Sequence, residues 1–138
     1  METKKLKFAK SYRELAVYKA CFRFQQAVFV LSKSFPKEET YSLTDQVRRS
    51  SRSIGANLAE SWSKRRYPAH FLNKLTDSDG ELQETLHWLG TAYSCEYLNK
   101  ASCSALMEQA TEIGKMLGGM IVNHEQFCIA HSPAKSSI

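Results

Sequence analysis

Apolar residues recur every three or four positions through four successive stretches of this chain, the spacing of helices that each bury one face. Punctuation between the stretches is sparse. Six glycines and three prolines are too few for a chain of short strands and tight turns, which strengthens the helical assignment. In the first stretch Ser11 is placed to cap a helix, with Glu14 three residues on to complete a capping box. Leu15, Tyr18, Phe22 and Phe29 then form one apolar row, and Phe24, Val28 and Leu31 a second beside it. This helix is expected to end near Ser34, because Pro36 disfavours the α conformation at Phe35.

Ser42 is the expected cap of the second helix, with Asp45 as its reciprocal partner. Leu43, Val47, Ser50, Ile54, Leu58 and Trp62 share one stripe. Ser50, Ser51, Ser53, Gly55 and Ala56 make this helix thin, which predicts close approach of a neighbour. The segment SKRR leads to Pro68, suited to the first turn of a third helix. Phe71, Leu72, Leu75, Leu82, Leu86, Leu89 and Tyr93 carry that helix to about Cys95, with Ser78 and Asp79 interrupting its stripe. Asn99 and Ser102 offer caps for a fourth, whose core face holds Leu106, Ile113, Met116, Leu117, Met120 and Ile121. Gly114 and Gly118, four apart, suggest a close helix crossing.

The expected architecture is therefore all-α, an antiparallel up-down-up-down four-helix bundle over residues 11–128. A flexible basic arm, 1–10, precedes it and a disordered tail, 129–138, follows it. The chain has 138 residues, the size of one domain. No apolar run has transmembrane length, the N-terminus has no signal-peptide core, and the four cysteines form no CxxC pair. A cytoplasmic protein with reduced thiols is the expectation, and no membrane partner is expected.

The formal charge of +5 is unevenly spread. Residues 1–80 hold 16 basic against 8 acidic side chains, and residues 81–138 hold 3 against 6. A basic face could meet RNA or DNA. Arg48, Arg49 and Arg52 fall on one side of the second helix, Lys64, Arg65 and Arg66 crowd the loop after it, and Lys4, Lys5, Lys7 and Lys10 line the arm. These six loop and helix residues are the candidate nucleic-acid-binding set, since a guanidinium fork bonds two phosphate oxygens at once. The plainer alternative pairs the arginines with Asp45, Glu60, Asp77, Asp79 or Glu81.

Glu84 and His87 stand at i and i+3, half of a di-iron bundle motif, but no second half is visible. No nucleophile elbow and no phosphate-cradling glycine loop is present. The chain is expected to be no enzyme and to need no cofactor or metal. A metal-dependent bundle enzyme using Glu84 and His87 is the remote alternative. Trp62, Trp88 and Tyr93 could pack inside the bundle or between subunits.

The stretch FPKEETYSLTDQVRRSSRSIGANLAES resembles the four helix bundle protein family, also called the 23S rRNA intervening-sequence proteins. Phe35, Pro36, Glu39, Tyr41, Arg48, Arg49, Asn57 and Glu60 are among its matching positions. RELAVYKA, Phe71-Leu72 with Ser78, Glu81 and Leu82, and GKMLGGMI extend the resemblance over about residues 11–122. Ser61 and Asp77 stand where the family favours glycine, and Gln83 where it favours an acid. The resemblance implies a bundle that assembles into a ring-shaped homo-oligomer, a pentamer. It also implies kinship with the accessory variability protein of diversity-generating retroelements, a pentameric bundle that binds a reverse transcriptase and nucleic acid. The function this suggests is a scaffold that binds nucleic acid without catalysis. A protein-protein adaptor that binds no nucleic acid is the alternative.

Overall fold

In a computed structural model that describes residues 9–129, the first helix begins later than its capping signature predicts. Ser11 Oγ accepts from the Arg13 amide, and Glu14 accepts from the Lys10 amide at 2.9 Å instead of reaching back to Ser11. These bonds close a short 3-10 turn, Tyr12–Glu14. Leu15 then turns extended (φ −70°, ψ 131°), which drops its side chain fully into the core before the α-helix starts. Helix α1 runs Ala16–Ser32 and buries Val17, Cys21, Phe24, Val28 and Ser32. The expected row through Phe22 and Phe29 is not the core row. Phe22 is 48% exposed and Phe29 half-buried, because the turn at Leu15 sets the helix down on its neighbouring stripe. Lys4, Lys5 and Lys7 of the expected arm, and its tail beyond Ile129, lie outside the described residues.

Ser11 thus caps the short turn ahead of α1, whereas Ser42 is not an N-cap. After Pro36 a 3-10 turn (Lys37–Glu39) and a π turn (Thr40–Thr44) deliver the chain already helical into α2, Asp45–Trp62. The Ser42 hydroxyl donates to a carboxylate oxygen of Glu39 (2.6 Å), and Tyr97 donates to the other (2.8 Å). The whole expected stripe is buried, Leu43 from the π turn and the rest from α2, which also buries Ser51, Gly55 and Ser61. A methyl group at Gly55 would meet Cys21 and Tyr18 at 3.6 Å, ordinary contact, so the approach there is close without requiring glycine.

Helix α3 runs Pro68–Ser94, with proline in its first turn as expected. Ser78 does not interrupt the core face but belongs to it: fully buried, it donates to the Ile54 carbonyl of α2 at 2.7 Å. Thr85, also fully buried, shares a 2.8 Å hydrogen bond with Ser50. Burial of these hydroxyls is tolerable because each finds a partner. At its C-terminus the Tyr97 amide bonds Ala92 and the Glu96 amide bonds Tyr93, with Glu96 at φ 65°. This is a Schellman closure with glutamate in the position glycine normally takes. Asn99 caps helix α4, Lys100–Val122, by accepting from the Ser102 amide at 2.7 Å.

Helix α2 packs on α1 and α3, and α4 packs on α1 and α3, which closes the arrangement around one core. The molecule is all-α, with four helices in bundle-like packing and no strand among the described residues. A methyl group at Gly114 would meet Leu82 at 3.6 Å, ordinary contact, and methyl groups at Gly118 and Gly119 would meet nothing, so the expected close crossing is confined to Gly114 and does not require glycine there. A final 3-10 turn, His124–Phe127, tucks Phe127 against Phe71.

Candidate nucleic-acid interface

Helix periodicity puts Arg48 and Arg52 one turn apart on α2, and the packing of α1 against α2 sets Phe29 beneath them. The Arg48 guanidinium carbon lies 4.8 Å from the Phe29 ring centre and that of Arg52 lies 5.5 Å from it. Lys33, the C-cap of α1 and four residues beyond Phe29, places its ammonium 4.8 Å from the same centre. Arg48 Nε also donates to Ser32 Oγ at 2.8 Å, and Ser32 in turn donates to the Phe29 carbonyl. Arg49 and Arg52 are exposed and Arg48 half-buried. Together with Asp45, Ser53 and Ala56 the three arginines line an open depression of about 470 Å³.

Two of the five acidic partners proposed for these arginines, Glu60 and Asp77, are engaged elsewhere. Lys74 takes Glu60 at 3.3 Å and Asp77 at 3.8 Å. Among the described residues no arginine lies within ion-pair distance of a carboxylate. Arg49 does act on Glu81 at longer range. Burial, then Glu84 and Asp77, raise the Glu81 carboxyl above its ordinary range, and Arg49 pulls it back. Each cation over a partly exposed ring gains about 0.5–1 kcal/mol. Neighbouring like charges on a helix lose a few tenths of a kcal/mol per pair. The ring therefore holds Arg48, Arg52 and Lys33 together with no carboxylate in ion-pair contact.

The second trio does not join the first. Arg52 stands roughly 15 Å along the axis from the end of α2 at Trp62, at about 1.5 Å per residue. Past that end, Arg65 folds back. Its guanidinium carbon is 3.8 Å from a Trp62 ring centre, and its Nε donates to the Trp62 carbonyl at 3.1 Å. The Arg65 carbonyl accepts from the Ile129 amide at 3.0 Å. Burial lowers the Arg65 pKa, opposed by nearby Cys128. Arg65 is thus held as a lid on Trp62, while Arg66 and its neighbour Tyr67 are exposed and Lys64 is half-buried. Trp62 Nε1 is buried with no hydrogen-bond partner.

The sequence did not point to Phe29, Ser32 or Lys33 as parts of this surface. Their signal was present only as an aromatic-polar-basic run at i, i+3 and i+4, which any solvated helix face can carry. Glu84 accepts from Trp88 Nε1 at 3.2 Å, and exposed His87 lies against the Trp88 ring. No group of three potential ligands forms among the described residues, so Glu84 and His87 gain no companions. Among the described residues no helix is long and apolar enough to cross a membrane. Cys21 is pushed up to about 12 by burial, which leaves it unreactive as a thiol.

A family model described as "23S rRNA-intervening sequence protein" matches residues 13–119. A solved protein of unknown function from the S23 ribosomal protein family, from Bacteroides thetaiotaomicron, shares 30% sequence identity and a TM-score of 0.70. The similarity covers 77% of this chain and 98% of that one. No curated protein matches.

Proposed function

The chain belongs to the 23S rRNA-intervening sequence protein family, and from that premise we propose a homo-oligomeric scaffold that binds nucleic acid without catalysis. Its subunit is an antiparallel up-down-up-down bundle, supported by contacts that pair Glu60 with Lys74, Ile54 with Ser78 and Ser50 with Thr85, descending α2 as they ascend α3. The assembly is a ring of five in the cytoplasm. Phosphates are bound by Arg48, Arg49 and Arg52, with Lys64 and Arg66 assisting from the far end of α2 and Arg65 holding that loop in place. The observation that carries this reading is the arginine cluster beside Phe29, none of whose guanidiniums lies within ion-pair distance of a carboxylate among the described residues. The words "rRNA" in the family description and "ribosomal protein" in that of the Bacteroides protein favour RNA over DNA.

The test is a fluorescence-anisotropy titration of hairpin RNA, single-stranded RNA and duplex DNA at several salt concentrations, on protein whose mass is fixed by light scattering. Expected is micromolar or tighter binding whose logarithm falls linearly with the logarithm of salt, by roughly 0.7–0.9 per phosphate contacted. Changing Arg49 and Arg52 together to glutamine should reduce that slope by about two contacts. An oligomer that binds none of the three at low salt would overturn the proposal. A protein adaptor would then be the better reading, supported by the pull of Arg49 on Glu81 and by the exposed Tyr67 and Tyr93.

A further inference from the structure

We infer that the phosphate site is built by two helices around a single ring, with Phe29 of α1 as the positioning residue for Arg48 and Arg52 and Lys33, the C-cap of α1, as a further phosphate contact. The inference rests on the reading that the arginine cluster binds nucleic acid, and it adds residues from a second helix together with the form of ligand they suit.

Long cationic side chains on a helix surface sample many rotamers, and a ligand that immobilises them loses part of its binding energy in doing so. At this surface that ordering is already in place. Both guanidiniums pack within 5.5 Å of the Phe29 centre, and Arg48 is pinned further through Nε to Ser32. Nε faces Ser32, so the terminal amino groups of Arg48 remain for an anion. Three cations gather on one ring, and the carboxylate bordering the depression, Asp45, makes no ion pair with them. A bound polyanion would relieve their mutual repulsion.

The spacing selects the kind of polyanion. Arg48 and Arg52 are four residues apart, about 6 Å along the axis at about 1.5 Å per residue, a step comparable to that between neighbouring phosphates of a strand. Lys33 extends the row across to α1. A run of phosphodiesters fits this arrangement better than one isolated phosphate. The ring is covered by cations, so it offers little open face for a base to stack on, and the site should contact backbone with weak sequence preference.

The experiment compares full-length parent, Phe29→Leu, Phe29→Tyr, Lys33→Gln and Arg48→Gln. Each is titrated into single-stranded and hairpin RNA across a salt series, with inorganic phosphate and pyrophosphate as competitors. Melting temperature and mass are read alongside. Phe29→Leu should weaken binding about five- to tenfold with the salt slope unchanged, since the same phosphates are met by less ordered side chains. Phe29→Tyr should restore parent affinity. Lys33→Gln and Arg48→Gln should each lower the slope by about one contact, and millimolar phosphate should compete poorly. If Phe29→Leu keeps its fold and mass yet binds as the parent does, the positioning role is wrong while nucleic-acid binding stands. Should Phe29→Leu fail to fold, Lys33→Gln decides, because an unchanged slope there overturns the two-helix site. A parent that binds neither RNA removes the underlying reading itself.

Discussion

Glu96 is the residue whose conformation is least comfortable. It stands at φ 65° in the Schellman closure of α3, where a Cβ crowds its own carbonyl and glycine normally sits. Glu96→Gly should stabilise the protein by about 1 kcal/mol, somewhat offset by the extra freedom glycine gives the unfolded chain. Urea melts of the variant and parent would measure it, and an unchanged or lower midpoint would show that Glu96 contributes something beyond the turn. Ser78 makes the opposite point at the same scale. By composition it is a polar break in an apolar stripe, yet it is fully buried because one carbonyl across the interface satisfies it. Phe29 falls between: half-buried, too exposed for the core and too covered to be open surface, it is defined by the cations around it.

At the scale of elements, the interior of α2 and the starts of α3 and α4 were legible, and the starts of α1 and α2 were not. Every apolar position expected on α2 is buried, because a period of 3.6 leaves little choice of face once small residues line one side. Ser11 does cap, but only the short 3-10 turn ahead of α1, by accepting from the Arg13 amide, while Ser42 spends its proton on Glu39. Asn99, with no such competitor, caps as its sequence predicts. The interface of α2 with α3 is where hydrogen bonds fix how two helices register. Apolar side chains alone would permit a slip of one turn, whereas Ser78 meets Ile54 and Thr85 meets Ser50 in one register only. Ser78→Ala and Thr85→Val should each lower stability by about 1 kcal/mol. A double variant that loses no more than either single change would mean the two bonds are not independent contributors.

For the whole molecule, the connection of α1 to α2 and the connection of α3 to α4 are clamped together by Glu39. Its carboxylate accepts from Ser42 and from Tyr97, while the Tyr97 ring lies against Phe35. These bonds, that from Ser42 first, lower the Glu39 pKa. The bond to Glu39 raises Tyr97 from the ordinary 10.0 to about 12. The signs follow from proton binding. A depressed carboxyl contributes stability above its unfolded value of 4.5, lost as pH falls below it. A raised phenol contributes stability below 10.0, lost as pH climbs toward about 12. Tyr97→Phe should therefore flatten the decline in unfolding free energy between these two alkaline values, and Glu39→Gln should flatten both limbs. Denaturant titrations at pH 3.5, 7, 10 and 11.5 would show it. Parallel curves for parent and variants would mean the clamp adds nothing to the fold.

The sequence by itself determined the class of fold, the four helical segments, most of the buried stripes and the family, because periodicity and the FPKEETY…NLAES spacing are local properties of the chain. It also marked the arginines as the group most suited to an anion, since charge and side-chain chemistry need no coordinates. Only the tertiary structure decided which of them act together. Arg48 and Arg52 converge on Phe29 because α1 packs beside them, and Arg65 turns back onto Trp62 because the chain bends there. Contacts between residues distant in sequence depend on how helices dock and rotate against one another, and that geometry is set by the sum of many small packing choices that no single motif records.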